Sequence, residues 1–233
     1  ETYTARYTHD TVALAFAITE EAIEDNLYDR LASRYTKALA RSMSNAKQVK
    51  AAKPLNDGLP STDNFDSGDG VSLFSTNHAT VSGTAVKNTL TTQADLNETS
   101  LEQALVDIAG MTDERGLRVA ARAMKMIIPS ANQFTAERLM KSQGRTGTAD
   151  NDINAVVSMG MVPQGYRVNN FLTDTDSWYL ITDVPNGMKM FQRAALKTAM
   201  EGDFDTGNVR YKARERYSFG VSDFRGIFGV EGA

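Results

Sequence analysis

The chain has 233 residues, 41% of them hydrophobic and 23% charged, with 25 Lys and Arg against 29 Asp and Glu and a net charge of -4. It has no cysteine and only two histidines, His9 and His78, which excludes disulfides, thiolate metal sites, a cysteine nucleophile and a histidine-rich metal centre. The longest purely apolar run, Val12 to Ile18, falls far short of the roughly 20 residues a membrane-spanning helix needs, and the slight acidity argues against nucleic acid wrapped over the whole surface.

The sequence starts at Glu1, with no basic segment ahead of an apolar stretch, so no signal peptide is expected and an upstream segment is expected to be missing. Tyr3, Ala5 and Tyr7 alternate with Thr4, Arg6 and Thr8, the period of a strand with one wet face. Val12, Leu14, Phe16 and Ile18 alternate with Ala13, Ala15 and Ala17, which predicts a strand buried on both faces. A strand that turns from solvated to buried along its length suggests an arm leaving the body.

Thr19 then offers an N-cap, and Glu20, Glu21 and Glu24 suit the positive end of a helix. Ile23, Leu27, Leu31, Tyr35, Leu39, Met43, Ala46 and Val49 recur at helical spacing until Pro54. The pattern predicts one helix over 20–53, about 50 Å long. Beyond Leu27 its charges are Arg30, Arg34, Lys37, Arg41, Lys47, Lys50 and Lys53 against Asp29 alone. The simplest reading is a solvated face with cations toward the C-terminus.

Residues 54–98 are rich in turn formers, with a short strand expected at Val71 to Phe74; a connection this long is usually functional or mobile. Thr99 and Glu102 read as a capping box for a helix that Gly110 ends. Residues 113–116 read as a turn and Met124 to Ile128 as a strand. Ser130 and Gln133 are expected to cap a helix over 131–141. Strands are expected at Val168, at Trp178 to Ile181 and over 209–219. Asn186-Gly187 is a hairpin signal between Tyr179-Leu180-Ile181 and Met188 to Phe191. Helices and strands mix without a regular βαβ period, so the fold class is α+β.

A search for chemistry finds little. Phosphate-binding glycine loops and nucleophile elbows do not occur. Ser44 and Lys47 have Ser-x-x-Lys spacing, the basis of a rival reading as a Ser-Lys-type hydrolase, but the companion motifs are only approximate at Val221-Ser222-Asp223 and Lys197-Thr198-Ala199. His9 and His78 read as surface residues. Asp150, Asp152 and Asn154 open like a calcium loop, yet Ala155 and Met161 stand where glycine and glutamate are needed. Asp174-Thr175-Asp176 and Asp203-Phe204-Asp205 read as capped acidic turns. Trp178 reads as a core or interface anchor. The expectation is a structural protein without catalytic residues, cofactor or metal.

Five stretches carry a resemblance: Ser72 to His78, Thr99 to Leu105, Thr146 to Asn154, Leu172 to Leu180, and Arg216 to Gly226. In this order, after a projecting strand and a long helix, they resemble the tailed-phage major capsid protein of the Hong Kong 97-type fold, in the branch of Mu-like major head subunits. The resemblance implies that residues 1–11 are the returning strand of an extended E-loop. Residues 12–98 and 206–221 would form a peripheral domain around the spine helix over 20–53, and residues 99–205 and 222–233 an axial domain. It implies an icosahedral shell of hexamers and pentamers around double-stranded DNA, held non-specifically, with portal and scaffold proteins as partners. The subunit would be made in the bacterial host cytoplasm and end in the virion capsid, with no membrane association. Tyr3, Arg6 and Tyr7 are the expected intersubunit contacts, and Arg30, Arg34, Lys37 and Arg41 a DNA-facing or intersubunit basic face. No lysine precedes Lys37, so no E-loop lysine crosslink is expected. An encapsulin-like nanocompartment shell protein is the nearest alternative.

Overall fold

The structure, a computed structural model, describes residues 4–25, 28–62, 64–145 and 152–233. In chain order it contains β1 (Asp10–Ile18), α1 (Glu20–Glu24), α2 (Tyr28–Asp57), α3 (Glu98–Ala109), β2 (Ala123–Ile128), α4 (Gln133–Lys141), α5 (Ala155–Ser158), β3 (Tyr166–Val168), β4 (Trp178–Thr182), β5 (Met188–Gly202), β6 (Val209–Val221) and β7 (Ile227–Val230). The fold is α+β, as the irregular alternation of patterns implies. The described residues divide into two compact units: a larger one with residues 4–6, 52–189 and 220–233, and a smaller one with residues 7–51 and 190–219.

In the larger unit four strands run in the order β3-β2-β4-β7. β3 is parallel to β2, and β4 lies antiparallel to both β2 and β7. Trp178, Tyr179 and Leu180 of β4 are completely buried, because an interior strand of a covered sheet loses water on both faces. Leu101, Ala104, Leu105 and Ile108 give α3 a buried stripe. The segment over 54–98 supplies Leu55, Leu59, Leu73, Phe74, Val86, Leu90 and Leu96 to the same core. It is irregular but buried, and where a strand was expected at 71–74 there is only an isolated bridge from Asp66 to Ser72.

The smaller unit has the sheet order β1-β6-β5. β1 and β6 are antiparallel, from Asp10 opposite Tyr217 to Ile18 opposite Val209. Leu39 and Met43 of α2 form a small core with Ala213, and Val12 and Phe16 pack against it. Phe16 stacks on Tyr211 with ring centroids 5.0 Å apart.

Several expectations are corrected. β1 is not buried on both faces: Ala13, Ala15 and Ala17 are exposed and Leu14 is 45% exposed, since helix packing covers only part of one face. Thr4 to His9 form no strand; Tyr7 instead sets its ring edge-on to Phe191 at 4.7 Å. Thr2 and Tyr3 lie outside the described residues. The helix expected over 20–53 is two helices. α1 stops at Asp25, whose N–H donates to the Glu21 carbonyl at 2.9 Å, because Glu24 and Asp25 put carboxylates at the negative end of the helix. α2 runs through Pro54 to Asp57. A proline this late removes one donor with a single turn remaining, and Leu55 is buried there.

The cap of α3 is Asn97, not Thr99: Asn97 Oδ1 accepts the Ser100 N–H at 2.9 Å, and Ser100 Oγ accepts the Asn97 N–H at 3.0 Å. No side-chain bond caps the 130–141 segment, which opens with a 3-10 turn at Ser130–Asn132. Asn186 has a positive φ of 68° as its turn signal requires, but β4 and β5 do not pair. Both edges of β4 are already taken by β2 and β7. β5 therefore joins β6, and residues 190–205 lie with the smaller unit rather than with residues 99–189. The turn is fastened instead by its carbonyls, which accept the Asp223 and Ser222 N–H groups at 2.8 and 3.3 Å. There the backbone of Gly187 comes so close to Gly226 that a Cβ on Gly187 would lie 2.9 Å from the Gly226 Cα.

His78 is not a surface residue; it is fully buried. Its Nδ1 lies 2.7 Å from Asp69 Oδ2 and its Nε2 3.1 Å from Asn88 Oδ1. Asn88 Oδ1 also accepts the Ser75 N–H at 2.9 Å, and its Nδ2 donates to the Leu73 carbonyl at 2.7 Å and the Phe224 carbonyl at 3.2 Å. Oxygen atoms thus face both ring nitrogens. The ring stacks on Phe224 at 3.8 Å. This cluster ties the irregular segment to the C-terminal strand. Replacing His78 with Phe keeps the stacking area but strands the Asp69 carboxylate, whose side chain is 2% exposed. The expected cost is about 1–3 kcal/mol, the range for a buried polar group left without its hydrogen bond, measured by urea unfolding.

Candidate assembly surfaces

At 100° per residue, positions 30, 34, 37 and 41 of α2 fall within an arc of roughly 60°, nearly opposite Leu39 and Met43. Arg34, Lys37 and Arg41 are exposed and make no ion pair among the described residues; the Arg30 side chain lies outside them. Further along the helix the cations are occupied. Lys47 Nζ pairs with Glu215 Oε2 at 2.6 Å and sits over the Tyr217 ring at 5.2 Å. Lys50 pairs with Asp10 at 2.7 Å. The cations expected on one solvated face therefore serve two ends: Lys47 and Lys50 hold the sheet, and the stripe from Arg34 to Arg41 is left to solvent. The bond from Lys47 to Glu215 also binds the amine of the Ser-x-x-Lys motif, while Ser44 is exposed.

A second cationic row lies on the sheet of the smaller unit. Arg210, Lys212, Arg214 and Arg216 point to one face of β6, opposite Ala17, Ala15, Ala13 and Thr11 of β1. Alternate residues on a strand are about 6.6–6.8 Å apart, so the four cations form an evenly spaced line beside an alanine shelf. Arg210 pairs with Asp203 at 2.5 Å. Lys212 and Arg214 are exposed and make no ion pair among the described residues, and Arg216 Nε is buried with no hydrogen-bond partner there. The alternation of cations was visible in the sequence, but the alanine register beside it required the strand pairing. Of the other expected contact residues, Arg6 is exposed and Tyr7 packs on Phe191 of its own chain.

In the larger unit Asp174, Asp176 and Glu231 line an open groove of about 530 Å³ together with Asn56 and Thr62. Partial burial, together with a hydrogen bond and negative charge from Asp176, pushes the Asp174 carboxyl up to about 6. Among the described residues no group of three or more potential ligands could hold a metal ion, and Asp150 of the calcium-like stretch lies outside them. No helix among the described residues is long and apolar enough to cross a membrane.

The two sheets and the long helix define the fold of phage and virus-like shell proteins, the Hong Kong 97-type fold. A solved structure of Mycobacterium phage Patience aligns with a TM-score of 0.61 at 11% identity, covering 97% of this chain and 71% of that one. The capsid of Myoviridae phage XM1 aligns at 0.58 with 13% identity over 97% and 74% of the two chains. A virus-like particle from Pyrococcus furiosus aligns at 0.52 with 12% identity over 95% and 76%. At these identities the likeness is one of fold. The family model described as Phage capsid protein matches residues 2–230, and the chain belongs to that family: it is a structural capsid protein. A comparison with curated proteins found no match.

The acidic groove makes a pH prediction. The folded state keeps a proton on Asp174 up to about 6, whereas the free carboxyl loses it near 3.8. Stability contributed by this group therefore falls as pH rises from about 4 to about 6. Asp174→Asn should melt higher than wild type above pH 6 and match it below pH 4, as read from thermal unfolding across pH.

Proposed function

We propose that the chain is the major head subunit of a tailed phage and self-assembles through hexamers and pentamers into an icosahedral shell around double-stranded DNA. The observation that carries this reading is the smaller unit, whose sheet leaves one face and the length of β5 exposed. A chain acting alone covers such surfaces; a chain that tiles with copies of itself uses them. The subunit acts by contact rather than catalysis, in the virion, after synthesis in the bacterial host cytoplasm. Portal and scaffold proteins would join it there. Tyr3, Arg6 and Tyr7 would lie against a neighbouring subunit as part of an arm over residues 1–11. The units rich in β5 and β6 and in β2 and β4 would serve as peripheral and axial parts, and the affinity to Mu-like major heads belongs to the same proposal.

Arg30, Arg34, Lys37 and Arg41 are proposed to face the packaged DNA. Phosphate contacts of this kind release counterions and weaken with salt. Replacing both Arg34 and Lys37 with glutamine should leave empty-shell yield unchanged while lowering the nuclease-protected DNA per particle, with the deficit largest at low salt and shrinking as salt is raised. Loss of empty shells as well would assign the stripe to subunit contacts. Particles filled with protein cargo in place of protected DNA would favour the nanocompartment reading.

A further inference from the structure

We propose that the row Lys212, Arg214 and Arg216, with the alanine shelf of β1 beside it, receives the acidic helix α1 of a second copy of this chain. The proposal rests on the self-assembly argued above. The ground is uncompensated charge: among the described residues exposed Lys212 and Arg214 have no carboxylate, and half-buried Arg216 continues the same row. Exposed cations without a partner can take carboxylates from a neighbour, and such charge-assisted hydrogen bonds are the stronger ones.

The complementary patch is in the same unit. Glu20, Glu21, Glu24 and Asp25 place four carboxylates within six residues, all exposed and none in an ion pair among the described residues. Glu21 and Glu24 are three apart and share a helix face. α1 follows Ile18, which is opposite Val209, whereas the cations run from there toward Arg216 opposite Thr11. The acids therefore sit at one end of the sheet while the unpaired cations extend toward the other. A contact between them in two copies is head to tail, and head-to-tail contacts close into rings when the rotation permits. The exposed Ala13, Ala15 and Ala17 present nothing beyond Cβ, so a helix can approach closely enough for its carboxylates to reach the row.

Nucleic acid is the competing occupant, and a charge swap separates the two. Lys212→Glu with Arg214→Glu should lower particle yield by about tenfold or more through like-charge repulsion against α1. Glu21→Lys with Glu24→Lys should do the same against the basic row. Circular dichroism and melting of the unassembled chains should match wild type, since all four side chains are exposed. Combining the four changes in one chain should restore shells. No restoration by the combined variant, or wild-type yield from either double variant alone, would overturn the proposal. Full yield of Lys212→Glu/Arg214→Glu shells that have lost protected DNA would overturn it in favour of nucleic acid. A wild-type chain that stays monomeric would overturn both this contact and the shell reading; an assembling wild type without rescue overturns the contact alone.

Discussion

Burial of β4 on both faces is the constraint on which the larger unit depends. A strand flanked by β2 and β7 and fully shielded from water must satisfy every polar atom it carries. Trp178 does so by donating its indole N–H to the Ala94 carbonyl at 3.1 Å, and Tyr179 by donating its hydroxyl to the Leu55 carbonyl at 3.1 Å. Burial pushes the pKa of the Tyr179 hydroxyl well above its ordinary range, so it remains a donor throughout the physiological range. Both acceptors belong to the stretch around 54–98, which has no ladder of its own to hold it. The aromatic strand thus organises a long irregular segment as much as it fills a core. Tight backbone approaches complete the fit: a Cβ on Gly229 of β7 would lie 2.6 Å from the Phe74 ring.

The smaller unit follows the opposite rule. Its core is little more than Leu39, Met43 and Ala213 with Val12 and Phe16 beside them. Buried Glu215 is offset by Lys47, so one ion pair stands where a wider apolar layer would otherwise lie. Elsewhere charge is left in water: the stripe on α2, the row on β6 and the four carboxylates of α1. Apolar side chains are left there too, among them Leu196, Met200 and the fully exposed Phe204 at the turn between β5 and β6. For a soluble monomer these are liabilities. For a member of the phage capsid family they are the surfaces proposed to meet between copies.

The sequence revealed the elements better than their partners. Long alternation at 209–219, the apolar strand before Pro129, Gly110 as a helix end and Asn186 at a positive φ are local matters of period and backbone freedom, and all are present. Tertiary competition decided the rest. Asn186-Gly187 looks like a hairpin until β2 and β7 occupy both edges of β4. The apolar faces of β1 predict burial on both sides until only one finds a helix. His78 looks like an isolated loop histidine because Asp69 and Asn88, nine and ten residues away, show no spacing that sequence rules recognise. The assembly surfaces were half visible: the cations on α2 and β6 could be read directly, whereas which of them Glu215 and Asp10 would neutralise could not.

On the proposed function, copies meet at the exposed sheet of the smaller unit, and the sheet around β4 is a core complete within each chain. Hydrogen exchange of the chain before and after assembly tests that division directly. The expected result is strong new protection over 10–18 and 188–219 in the assembled state, with 178–182 equally protected in both. Unchanged exchange across β1, β5 and β6 on assembly, with protection gained only in the larger unit, would contradict it.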